Sequence, residues 1–97
     1  DEHGNSPLHW ATIRGYLDIV RYLVDRGAQL DLQDKNGNTP LHQATIRGYF
    51  SIVKYLGDKG AKLDLQDENG NSPLHQAEIR GNLVIVKYMG DKGAQLN

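Results

Sequence analysis

A chain of 97 residues with 38% hydrophobic side chains and a single Phe suits one small domain with a thin core, not a deep globular one. A formal charge of −1 gathers neither nucleic acid nor an anionic membrane, and no apolar run approaches the roughly 20 residues of a membrane span. No signal-peptide pattern is visible, and zero cysteines exclude disulfides and thiolate zinc sites; we expect an intracellular setting, cytoplasmic or nuclear.

The first predicted element is a turn, Asp1-Glu2-His3-Gly4, with Asp and Gly at the positions a type I turn favours. Ser6-Pro7 then opens a helix, Ser6 as N-cap and Pro7 at the first helical position, where a missing N–H does no harm. His9 stands three residues after the cap and can reach back to it as the Glu of a capping box does. Leu8 and Ala11 form a narrow buried edge, and Gly15 ends this short helix as a left-handed residue. A second helix starts near Leu17, with Asp18 in its first turn and an apolar stripe of Leu17, Ile19, Val20, Leu23 and Val24. Gly27 closes it, and residues 28–32 run extended into the next turn at Asp34.

The same series then recurs. Pro7, Pro40 and Pro73 are 33 residues apart, as are Gly4, Gly37 and Gly70, and Gly15, Gly48 and Gly81. The chain divides into units 1–33, 34–66 and 67–97, forming one continuous domain, and the last two agree at 22 of 31 aligned positions. That agreement points to recent duplication or design. The chain begins at the first residue of a unit and stops short of a third full one, which reads as an excerpt or an engineered array. Two short antiparallel helices cannot bury their faces alone, so each unit must stack on its neighbours: an all-α solenoid.

SPLHWA, TPLHQA and SPLHQA, followed by G-Y-L, G-Y-F or G-N-L, then I-V, then R-G-A or K-G-A, resemble the ankyrin repeat over the whole chain. The copies depart from that family at three places. Thr12, Thr45 and Glu78 replace the second alanine of its A-A pair; Tyr16, Tyr49 and Asn82 replace the histidine after the glycine. Val24, Gly57 and Gly90 replace its second leucine. Glycine inside a helix costs about 1 kcal/mol against alanine. Gly57→Ala is therefore expected to stabilise the chain, unless a side chain from an adjacent unit already fills the space. Tyr22, Tyr55 and Tyr88 are expected to fill some of the lost volume, but at Gly57 Tyr55 is too near in sequence to point the same way, so the occupant expected there comes from an adjacent unit.

Chemistry-bearing constellations are few. His9, His42 and His75 would align on one side, but no cysteine or close His spacing supports a metal, and a capping role explains them. Ser6 and Ser72 are N-caps, the glycines stand one per helix end, and the acids of DKNGN and DENGN are too sparse for calcium. The reading is of a non-enzyme without cofactor or metal. Lys54 and Lys87, with Arg21, pair with acids four residues on and form a solvated outer face, with no case for nucleic acid.

A surface is the better candidate. Trp10-Ile13-Arg14, Gln43-Ile46-Arg47 and Gln76-Ile79-Arg80 share a helix face at i, i+3, i+4, off the buried stripe. The resemblance implies that these positions, with the hairpin tips, line a concave binding face for another protein. The tips are Glu2, His3 and Asn5; Lys35, Asn36 and Asn38; and Glu68, Asn69 and Asn71. Aromatic and Arg groups are what binding hot spots use. Two alternatives stand beside a recognition module: a structural segment of a larger ankyrin array or of a multidomain channel or enzyme, and an engineered scaffold of near-consensus repeats. With no dedicated capping unit, end-to-end self-association is also expected, through Trp10, Leu17 and Leu23 at one end and Val84 and Met89 at the other.

Overall fold

Six helices follow one another in pairs: α1 (Pro7–Ile13) with α2 (Leu17–Asp25), α3 (Pro40–Arg47) with α4 (Phe50–Asp58), and α5 (Pro73–Ile79) with α6 (Leu83–Asp91). The computed structural model describes residues 1–93, and among these there is no strand. The odd-numbered helices form one layer, α1 against α3 and α3 against α5, and the even-numbered helices form a second layer behind it. The stack measures 32 × 24 × 19 Å.

Each odd-numbered helix starts as its sequence dictates. Ser6, Thr39 and Ser72 take extended backbone, and each hydroxyl accepts from the N–H of the histidine three residues on. The histidine returns the favour: Nδ1 of His9, His42 and His75 accepts from the backbone N–H of its cap at 3.1, 3.1 and 3.2 Å. Two of the orphan donors of the first turn are thus satisfied, and the proline removes another. The even-numbered helices have weaker starts. Neither Tyr16 nor Tyr49 caps through its side chain, whereas Asn82 accepts from Ile85 N–H at 3.1 Å.

The core is a single ribbon running along the stack. Leu8, Leu41 and Leu74 from the first layer meet Val20, Ile52, Val53, Leu56, Ile85 and Met89 from the second, with Ala11, Ala44 and Ala77 between them. Alanine at that place lets the two layers approach closely. Met89, expected to be partly open, is fully buried, because it faces back toward the preceding unit, where Leu56 is buried likewise. Trp10 and Val84 are exposed, while Leu17 and Leu23 are half-buried.

Gly57 overturns the expectation of a weak point in α4. A Cβ there would meet the ring of Tyr88 from the next unit, with Cε2 at 2.8 Å. The glycine lets the tyrosine lie flat across α4, so that its hydroxyl reaches the Lys54 carbonyl at 3.1 Å and Asp58 Oδ1 at 2.8 Å. Lys54 and Lys92 each approach the same carboxylate at 2.9 Å. Those three partners hold the Asp58 carboxyl well below the usual carboxylate range, and burial together with Asp58 pushes the Tyr88 phenol up. One unit earlier Val24 stands in place of the glycine, and Tyr55 reaches only Asp25, at 3.1 Å.

Candidate recognition surface

The loops that frame the surface are held by one carboxylate each. Asp34 Oδ1 accepts from the N–H groups of Asn36 and Asn38 at 2.9 and 3.0 Å, and Asp67 Oδ1 accepts from Asn69 and Asn71, both at 2.9 Å. The second oxygen of each acid takes a side-chain amide from the helix that follows: Gln43 reaches Asp34 Oδ2 at 3.2 Å and Gln76 reaches Asp67 Oδ2 at 3.0 Å. Burial by itself would push the Asp67 carboxyl up, but these donors outweigh it and, with His42 nearby, hold it below its ordinary value.

The sequence-expected residues therefore divide into two groups. Gln43, half-buried, and Gln76, buried, spend their amides on the loops. Asn38 and Asn71 spend their carbonyls on His9 Nε2 and His42 Nε2, at 2.8 and 2.9 Å. Since a carbonyl can only accept, Nε2 carries the proton and Nδ1 is left to serve the cap. That accounts for two of the three capping histidines fully as structural groups. Burial depresses the His42 pKa despite the backbone hydrogen bonds and nearby acids that oppose it.

The second group faces solvent. Arg14, Arg47 and Arg80 are exposed, as are Lys35, Asn36, Glu68 and Asn69 at the tips. Ile13 and Ile46 are half-buried, because the next odd-numbered helix shields one side of each, whereas Ile79 is 65% exposed. Trp10 has no amide to offer its loop; in its unit Asn5 Nδ2 bonds Asp1 Oδ2 at 3.3 Å. The freed indole stacks edge-on against Tyr16, ring centres 5.7 Å apart, and Arg14 lies over it at 5.8 Å. Tyr16 stands out in the sequence only as a departure from the family pattern, and the two loop-holding acids only as turn residues, none of them as part of the surface. The signal for the acids was present in the D-x-N-G-N spacing, an Asx turn repeated with its glutamine nine residues on.

Among the described residues no three His, Asp or Glu side chains converge as metal ligands, and no helix is long and apolar enough to cross a membrane.

Helix pairs of fixed period, tied to each other by histidine-to-loop bonds and sharing one ribbon of core, define a helical repeat stack. The chain belongs to the ankyrin repeat family: residues 8–57 match its description as ankyrin repeats (many copies), and residues 69–97 match the single ankyrin repeat. No curated protein matches the chain. Ankyrin repeats are in general protein–protein interaction modules.

Proposed function

We propose that this chain is a non-catalytic recognition module that binds another protein across the first-helix layer and the hairpin tips. The observation that carries the reading is the row of three exposed guanidinium groups, Arg14, Arg47 and Arg80, each beside an isoleucine, at one unit's spacing. No ion pair engages these arginines among the described residues. Planar cations flanked by apolar surface suit a partner segment that alternates carboxylates with apolar side chains. Trp10 extends the row at one end, and Lys35 and Asn36 flank it at the tips.

The rigid loops matter to this reading. With the backbone N–H groups of Asn36, Asn38, Asn69 and Asn71 already tied by Asp34 and Asp67, binding has little loop-backbone ordering to offset. A library of acidic–apolar peptides screened for binding provides a ligand, and Arg47→Ala with Arg80→Ala is the decisive variant. Binding should weaken at least about tenfold and melting should stay nearly unchanged, since exposed substitutions usually fall within ~0.5 kcal/mol. Undiminished binding, or a large loss of stability, would remove the surface from consideration.

A further inference from the structure

The arginine row has a pitch, and the pitch selects what can lie on it. His9 and His42 each bond a carbonyl 29 residues further on through Nε2, so consecutive units join in the same way and their first helices keep one orientation. α1 packs directly on α3 and α3 on α5, and helices in contact stand about 8–10 Å apart. Arg14, Arg47 and Arg80, all exposed, therefore present a cation at about that interval.

A segment that meets each guanidinium with a carboxylate must return a side chain to the same face at the same interval. A β-strand does not, because its same-face positions fall at about 6.7 and 13 Å. An α-helix returns a residue to one face after seven positions, at about 10.5 Å, past the upper end of the range. Polyproline II has three residues per turn and rises about 3.1 Å per residue. Every third side chain then lies on one face at about 9.3 Å, inside the range.

The groups beside the row fit the same form. A polyproline II backbone keeps its carbonyls without internal partners, and the tips hold donors that can meet them. Asn36 and Asn69 are exposed and commit their backbone N–H groups to the loop acids, but among the described residues no hydrogen bond engages their side-chain amides. A helix, its backbone already satisfied, would leave those amides idle. Next to the arginines, Ile13 and Ile46 are half-buried and Ile79 is exposed, and Trp10 adds an indole that is 46% exposed. Proline rings pack on aromatic and apolar surface of this kind.

We infer that the occupant of this surface is a polyproline II segment of about nine residues, with a carboxylate at every third position and proline between. One face of its threefold helix sets the carboxylates against Arg14, Arg47 and Arg80. A second lays proline rings along Ile13, Ile46 and Ile79 and onto Trp10, and the third faces solvent. Such an occupant presupposes the recognition surface proposed above and adds to it a period and a backbone form.

Trp10, the single tryptophan of the chain, reports binding by its fluorescence, with titration calorimetry alongside. Three blocked peptides carry three glutamates each. The first is Glu-Pro-Pro repeated three times, the second has the same composition with the glutamates at alternate positions, and the third is an alanine-rich helix with glutamate at every seventh position. The first should bind at least about tenfold more tightly than either of the others, and Arg47→Ala with Arg80→Ala should weaken it at least about tenfold. Equal binding of all three would mean that charge alone is read, and would overturn the polyproline form. Tighter binding of the helix, lost in the arginine variant, would overturn the form while leaving the surface in place. Binding of the first peptide that is indifferent to both arginines would remove the surface as well. No binding of the first peptide at about 1 mM would overturn the occupant, and the acidic–apolar library would then decide the surface by itself.

Discussion

Thr12 and Thr45 occupy the same place in consecutive units, yet their hydroxyls fare differently. Thr45 donates to the Leu41 carbonyl at 2.8 Å, whereas Thr12 Oγ1 is buried without a partner. An unmet buried hydroxyl costs about 1–3 kcal/mol. Thr12→Val, which keeps the shape, should therefore raise the urea midpoint, and Thr45→Val should raise it less or lower it. Gly57 makes the complementary case. Alanine there gains about 1 kcal/mol of helix propensity but forces the Tyr88 ring off α4, and overpacking of this sort costs about 1–3 kcal/mol. Gly57→Ala is expected to lower the melting temperature; in the Tyr88→Ala background, where the ring is gone, the same change should raise it. A helix position occupied by glycine shows in the sequence only as a missing side chain. What fills the space comes from 31 residues further along, and no local pattern carries that distance.

Helix starts were the most legible elements, because a cap, a proline and a returning histidine are all written within four residues. Local chemistry places α1, α3 and α5 without help from packing. The candidate surface was less legible, since Gln43 and Gln76 have the same spacing as Trp10 and differ only in having an amide long enough to reach a loop acid. Periodicity shows which residues share a face; it does not show which of them are already bonded. The capping histidine also links these elements to pH. His42 is held neutral with its pKa depressed, so the unfolded chain binds more protons once pH falls below about 6.5. Stability from this group is complete above that value and is lost as pH falls toward the folded pKa. Denaturant midpoints measured from pH 7.5 down to 5 should fall, and the fall should be shallower in His42→Gln, measured against that variant's own value at pH 7.5.

On the scale of the whole molecule, the second layer is fastened unequally. Between the second and third units, Tyr88 grips both a main-chain carbonyl and Asp58, and Lys92 closes an ion pair on the same acid. Between the first and second, Tyr55 has one carboxylate bond, with Arg21 and Lys59 each 5.6 Å from its ring centre. A stack of this kind behaves as a short elastic rod whose stiffness varies along its length. Force applied at the two ends, or a curved partner laid against it, would concentrate bending at the junction guarded by Val24. Deuterium uptake should accordingly be faster across α2 than across α4, and Val24→Gly should narrow that gap by letting Tyr55 settle as Tyr88 does. The compliance of this small rod is then set by a choice between valine and glycine in the second helix layer, away from the proposed surface.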